Sequence, residues 1–550
     1  MASSTLPMFL RSALRPLPLA LLLLAGPAGA RPPRLTLFIT VDALGTDVLL
    51  RNRAHFRAGL ATLLDRGAFF PDARYAQAEV ATAPGHAVLS TGAYPWRTGI
   101  VSNRILNRAT GKEEPVFWDP GHPVLGAPPG PDDSSPEALL TETLADHLQL
   151  FTGGRGKTVV LAGKARAAIA LAGRLGLPFW FSEATGRLVS GTFYAKELPP
   201  WVKAVNDRRL PDQAFGQTWT LSLPERAYSG EDDRPFEADV YGMRRVFPHP
   251  LSAGLPAPGP QSYAAFASSP FADEFLVEAA KAAITAEQLG KDEVPDLLAV
   301  SFSALDHIYH HFGPYSWEMQ DALVRLDRAV GDLLSAAERA AGGRSNLLVI
   351  LSADHGGAAI PEELIAAGLP GLRVKPSALK AGLAAELTRS FGAPLLLGFS
   401  EFEVVLDDKA LEVRKLDGAA VRRAAASWLA RQPGVTVAVA RDDLAGCDDL
   451  QGYQGALRRS YFPGRSGDVL FLLRPFAVLA EQANGTSHGL PYAYDAQVPV
   501  VLLGRGVRPG TYLQSIQPAD VAPTAAALLE MGGLAAAEGV PRSEAIAPVR

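Results

Sequence analysis

Five short runs constrain this chain more than any other feature: Leu35–Val41, Thr158–Ala162, Leu297–Phe302, Leu347–Leu351 and Val498–Leu503. Each is continuously hydrophobic instead of alternating. A strand with one wet face alternates with period two, whereas a strand covered on both faces does not. Helix-period segments lie between the runs, for example Phe275–Leu289 and Trp317–Ala340. Together they predict an α/β fold with a central, mostly parallel sheet flanked by helices. Two stretches break the rhythm, 182–270 and 361–484. The first is rich in Pro, Gly and aromatics. The second has strand and helix patterns of its own at Phe402–Leu406, Ala419–Ala430 and Val435–Ala440. Both are read as insertions that cap or flank one catalytic domain spanning 31–550. The segment Pro518–Leu529 reads as a closing helix.

The 550 residues are 48% hydrophobic, ample for a large core, and carry 52 basic and 57 acidic side chains. No basic block interrupts that balance, so no nucleic-acid-binding surface is expected. At the N-terminus, Arg11 and Arg15 precede an apolar run, Leu17–Ala25, and then Ala28-Gly29-Ala30. A basic start, a short apolar stretch and a small-x-small site read as a secretory signal over 1–30, cleaved after Ala30. Its removal takes two Arg and no acid, leaving 50 basic and 57 acidic residues and a formal net charge of −7. The mature protein is therefore expected in the periplasm or outside the cell, with no later membrane span. A single cysteine, Cys447, allows no internal disulfide and reads as a loop thiol.

Chemistry-bearing residues gather where these strands end, as ligands do in open α/β sheets. Asp42 ends the first run; it is an anionic oxygen ligand or a helix cap. Thr82-Ala83-Pro84-Gly85-His86 opens an apolar helical pattern. There Thr82 is either an ordinary N-cap or a hydroxyl beside an anion site at a helix N-terminus. Asp306 and His310 are four apart, so a helix brings both to one face and toward one cation. Asp354 and His355 follow the fourth run directly, and His488 sits in Gly485-Thr486-Ser487-His488-Gly489. Three Asp and three His with no Cys suit Zn²⁺, although manganese or iron accepts similar donors. Six donors exceed the needs of one tetrahedral ion, so two metals are expected. Two ions a few ångströms apart can clamp both oxygens of an in-line displacement.

In this order (Asp, Thr-x-Pro-Gly-His, Asp-x-x-x-His, Asp-His-Gly, His-Gly) the chain resembles the alkaline phosphatase superfamily. The branch it resembles holds type I phosphodiesterases, nucleotide pyrophosphatases and PafA-type alkaline phosphatases. The likeness spans roughly Leu35 to Met531. It implies one zinc on Asp306, His310 and His488, and another on Asp42, Asp354 and His355 with the Thr82 oxygen. It further implies that Thr82, acidified by its metal, attacks phosphorus to form a phosphothreonine that water then hydrolyses.

Two further features bear on the substrate, expected to be a small phosphate ester. Lys164 and Arg166 follow the second run, and Asn103 lies 21 residues after Thr82. In the family resembled, residues of these types contact the transferred phosphoryl group. Read otherwise, Lys164 and Arg166 are solvated turn residues. Arg offers a planar fork and Lys a compact charge to a dianion. That favours phosphate monoesters with broad specificity over diesters, with a phosphodiesterase or nucleotide pyrophosphatase on the same metals as the alternative.

Overall fold

The computed structural model describes Met1 and residues 31–548, apart from 131, 253 and 445–450. The leader expected over 1–30 and Cys447 lie outside the described residues. Residues Pro32–Pro548 form one compact unit.

A ten-stranded sheet forms its centre. In spatial order the strands are Gly510–Thr511, Ala68–Arg74, Gln497–Gly504, Leu347–Ser352, Leu35–Val41, Asp296–Phe302, Thr158–Ala162, Leu177–Ser182, Arg187–Gly191 and Val124–Leu125. The five from Leu347–Ser352 to Leu177–Ser182 run parallel. Leu35–Val41 lies between two of them, with Ile39 opposite both Val300 and Leu351, and every one of its residues is buried. That double burial is why these strands carry no polar alternation. Burying a Leu or Ile side chain contributes about 1.5–3 kcal/mol, so this block is the main reservoir of stability.

The sheet as a whole is mixed. Gln497–Gly504 runs antiparallel to Leu347–Ser352, and Arg187–Gly191 antiparallel to Leu177–Ser182. A continuously apolar run such as Val498–Leu503 records burial on both faces and says nothing of direction. The reversal matters for the site: the amino end of Gln497–Gly504 abuts the carboxyl ends of the parallel strands.

Helices cover the sheet, the longest being Trp317–Ala341, which carries an apolar stripe and a Ser316 side-chain cap on the Met319 N–H. Within 182–270, Arg187–Gly191 joins the central sheet, and Trp201, Val202, Val205 and Trp219 enter the main core. The segment 361–484 behaves differently. It builds a four-stranded antiparallel sheet from Leu396–Ser400, Glu403–Leu406, Val469–Leu473 and Val435–Ala440. Helices Pro376–Phe391 and Gly418–Ala430 pack on it around a core of its own. Among the described residues, no helix is long and apolar enough to cross a membrane.

Candidate active site

Neighbouring strands of the parallel block deliver the motif residues side by side. Leu347–Ser352 ends just before Asp354 and His355, and Leu35–Val41 just before Asp42. Asp296–Phe302 leads into helix Ala304–Phe312, which carries Asp306 and His310, and Thr158–Ala162 ends just before Lys164 and Arg166. Asp42 does not cap a helix, since the next helix begins at Thr46 with Gly45 as its cap. Thr82 is the first residue of helix Thr82–Thr91, with Ala81 as N-cap, so the ordinary cap reading fails. His488 arrives from the loop ahead of the reversed strand. The close approach of these loops leaves no room for side chains in two places. A Cβ on Gly85 would lie 2.4 Å from the Asp354 carbonyl, and one on Gly485, at φ +69°, 2.2 Å from that of His310.

The donors form two groups that meet at His355. Ligand atoms of Asp42, Asp354 and His355 lie within 4.8 Å of one another, as do those of Asp306, His355 and His488. His355 Nε2 stands 3.5 Å from Asp354 Oδ2, 3.7 Å from Asp42 Oδ1 and 3.9 Å from Asp306 Oδ1. The same Asp306 oxygen is reached by His310 Nε2 at 3.4 Å and His488 Nε2 at 3.7 Å. The rings of His355 and His488 stack at 3.6 Å. Each histidine uses its other nitrogen on a carbonyl: His355 Nδ1 on Gly356, His310 Nδ1 on Thr486 and His488 Nδ1 on Val80. That leaves the three Nε2 atoms as bare acceptors, the arrangement that suits metal ligation.

Charge makes the same point. Asp42 Oδ1, Asp306 Oδ1, Asp354 Oδ2 and His355 Nε2 are buried without a hydrogen-bond partner. Burial lowers the pKa of His355, and burial with the neighbouring His355 lowers that of His488 well below the ordinary range, so both are neutral. Burial, with Asp42 beside it, pushes Asp354 well up. Burial opposes ionisation of Asp42 too, but Lys164 holds its pKa well down, and burial is likewise outweighed by Lys164 at Asp306. With no protein donor between them, Asp42 and Asp354 can be reconciled only by a shared proton or a shared cation. Three carboxylates face one ammonium: Lys164 Nζ lies 2.6 Å from Asp42 Oδ2 and 2.5 Å from Asp306 Oδ2. Buried charges this unbalanced are costly without a counter-ion. Orphaned acceptors, a net negative pocket and an all-N/O donor set fit divalent metal, and the chain has a metal site here.

Thr82 stands beside that site. Arg166 Nη2 donates to Thr82 Oγ1 at 3.4 Å, and Arg166 Nε is buried with no acceptor. Asn103 Oδ1 accepts from the Ala83 N–H at 2.8 Å, which directs its NH₂ group away from the helix. Lys164 instead turns its ammonium onto Asp42 and Asp306.

Several supporting residues carried no assignment from the sequence. His86 accepts or donates at four places: its Nδ1 is 2.8 Å from the Thr82 carbonyl and 3.3 Å from Asp354 Oδ2, and its Nε2 reaches Ser301 and Thr40. Its place in the Thr82 motif, four residues on along a helix, was the available signal. Asp495 accepts the N–H groups of Gly489 and Leu490 and so holds the His488 loop, while Tyr309 donates to the Ser487 carbonyl. Neither has a local signature.

Comparison with known proteins gives one consistent result. Residues 36–486 match the family described as type I phosphodiesterase/nucleotide pyrophosphatase. Alkaline phosphatase PhoV of Synechococcus elongatus is 30% identical over 504 residues, covering 91% of this chain and 90% of its own. A protein of Myroides odoratus named calcium-transporting ATPase is 31% identical over 94% and 95%. Alkaline phosphatase PafA of Elizabethkingia meningoseptica is 29% identical over 96% of this chain and 98% of its own. The crystal structure of wild-type PafA superposes with a TM-score of 0.88 at 28% identity, covering 94% and 99%. PafA has also been solved as a variant with one threonine, one asparagine, one lysine and one arginine replaced. The chain belongs to the type I phosphodiesterase/nucleotide pyrophosphatase family of the alkaline phosphatase superfamily, on its PafA-like side.

Proposed function

We propose that this protein is an alkaline phosphatase that hydrolyses phosphate monoesters outside the cytoplasm through a phosphothreonine at Thr82. The observation that carries the reading is the convergence of Thr82, Asn103 and Arg166 on one space beside the acidic pocket. Two zinc ions fit the pocket, one on Asp42, Asp354 and His355 with the Thr82 oxygen, the other on Asp306, His310 and His488. When bound they acidify the Thr82 hydroxyl, stabilise charge on the departing oxygen and activate water.

The protein's own groups do the rest. Arg166, whose Nε lacks an acceptor, offers its guanidinium fork to the non-bridging oxygens of a dianion. The Asn103 NH₂ group adds a donor on the same side, and the helix N-terminus at Thr82 favours the anion. Lys164 lies between the two ligand groups, neutralising Asp42 and Asp306 and presenting positive charge to the phosphoryl group. His86 holds the Thr82 backbone and Asp354 together, keeping the nucleophile beside a residue that would hold metal. Thr82 Oγ gives up its proton to solvent and bonds to phosphorus as the bond to the leaving oxygen breaks, and that oxygen takes a proton from water. Water then attacks phosphorus, the Thr82 Oγ–P bond breaks, Thr82 regains its proton and phosphate leaves. The terminal phosphoryl group of a nucleoside triphosphate is also a dianion on a bridging oxygen, so the same arrangement accommodates it. The four positions altered together in the PafA variant have the same residue types, in the same chain order, as Thr82, Asn103, Lys164 and Arg166. The leader over 1–30 carries the proposed location.

The test compares kcat/KM for p-nitrophenyl phosphate and bis-p-nitrophenyl phosphate in the zinc-loaded protein. A strong monoester preference is expected. Thr82→Ala should lower monoester turnover roughly a thousandfold or more, the scale of losing a nucleophile. A preference for the diester moves the protein to phosphodiester hydrolysis with the same metals, and an active Thr82→Ala removes Thr82 as nucleophile.

A further inference from the structure

Leu396–Ser400 and Glu403–Leu406 pair with Ser400 opposite Glu403, so Glu401 and Phe402 form a two-residue turn. Glu401 holds φ at +47°, a left-handed conformation that a long side chain adopts only under constraint. Both neighbours supply the constraint. Ser400 Oγ donates to the carbonyl of Arg104, the residue after Asn103. Phe402 packs against Gly489, the residue after His488, where a Cβ would stand 2.7 Å from its ring. Behind the turn, Leu106 closes on Gly398. The tip of the second insertion is thus pinned between the Asn103 side of the site and the His488 side, and Glu401 is the residue at the tip.

Glu401 is exposed. Even so, protein surrounds it closely enough that burial is the chief push raising its pKa, with Glu113 adding to it and Arg104, Arg166 and His310 opposing. An accessible side chain so enclosed belongs on the wall of a cleft. Among the described residues its carboxylate takes no hydrogen bond and no ion pair within 4 Å. Glu79, buried behind it, is itself pushed well up by burial and by Glu401. The turn therefore brings a carboxylate with no direct ion pair, in the field of Arg104 and Arg166, to the side of His310 and His488, where the departing alcohol would stand.

We propose that Glu401 sets leaving-group specificity, favouring phosphate monoesters whose alcohol carries an ammonium group over those whose alcohol carries a carboxylate. This rests on the monoesterase reading above. An anion on the leaving group meets a fixed like charge in a partly enclosed cleft, whereas a cation meets its counter-charge; the phosphoryl group is common to both and cancels in the ratio.

The experiment measures kcat/KM for phosphoethanolamine, glycerol 1-phosphate and phosphoglycolate at low ionic strength, in the zinc-loaded wild type, Glu401→Gln and Glu401→Asn. Asn tolerates the left-handed backbone and guards against a folding artefact. The phosphoethanolamine-to-phosphoglycolate ratio should fall about tenfold in both variants, glycerol 1-phosphate should change less than twofold, and added salt should shrink the wild-type ratio. An unchanged ratio with normal glycerol 1-phosphate turnover overturns this inference alone, as does an equal loss on all three substrates. A wild type inert toward glycerol 1-phosphate overturns the monoesterase reading and this inference with it.

Discussion

The two halves of the metal site share His355 but differ in their exposure. Asp42, Asp354 and His355 have side chains with no accessible surface, enclosed by three loops of the parallel block and by the helix of Thr82. Across the site Asp306 is 4% exposed, His488 8% and His310 31%. The closed half rests on backbone-anchored loops: Asp354 Oδ1 accepts from Ala43 N and His355 N, and His86 ties Asp354 to Thr82. The open half is completed by the loop at 485–489 and faces the tip of the second insertion. A nucleophile must be held rigidly, while a leaving group must enter and depart. The difference in burial matches that division of labour.

The two halves should differ most when a ligand is removed. Asp354→Asn or Asp42→Asn should bind less metal than the wild type and lower monoester kcat/KM by roughly a thousandfold, because a buried anionic ligand has no substitute. His310→Ala, at the open edge where water can replace a ligand, should weaken zinc binding roughly 10–100-fold and keep more activity. Metal analysis with a zinc titration checks both, and equal losses from the two halves would remove the distinction. Lys164 bridges the halves, so Lys164→Met leaves Asp42 and Asp306 unpaired. The metal-free variant should be less stable by about 3–5 kcal/mol, with much of that recovered on adding zinc. Chemical denaturation with and without chelator reads it; a loss that is the same in both states would place the lysine outside the charge balance.

A further effect lies beneath the helix of the open half. The helix carrying Asp306 and His310 has no side-chain cap of its own, and Asp273 accepts the Ala304 N–H at 3.3 Å. Burial raises the Asp273 pKa to about 8. A folded pKa above the unfolded one adds stability that is complete below about pH 4 and is lost as pH rises toward 8. The loss should run at about 1.4 kcal/mol per pH unit between pH 5 and 8. Asp273→Asn should flatten that slope, measured as denaturation midpoints across pH; an unaltered slope would show that Asp273 ionises freely.

Much of this was legible from local pattern. The runs Leu35–Val41 and Thr158–Ala162 are strands with those bounds, and the helix expected at Trp317–Ala340 spans Trp317–Ala341. The pairing of Asp306 with His310 follows from helical spacing, and Lys164 and Arg166 stand where a strand ends. Less legible was the sheet's mixed direction, since a run buried on both faces looks alike whichever way it points. Arg187–Gly191, inside a stretch read as an insertion, joins the central sheet between Leu177–Ser182 and Val124–Leu125, because Pro- and Gly-rich flanks conceal a short strand. Glu401 was invisible, as its surroundings come from Asn103 and His488, remote in the chain.

By itself the sequence determined the residue types, their strand-end positions and the family they belong to, because hydrophobic period and motif spacing are local and survive being read along a line. Only the tertiary structure decided that His355 sits at the corner of both donor groups, that Lys164 lies between Asp42 and Asp306, and that a reversed strand carries His488 to the carboxyl edge. Those relations depend on register across the sheet and on which loops meet, where a few ångströms separate a ligand from a bystander. Spacing along the chain does not carry that distance.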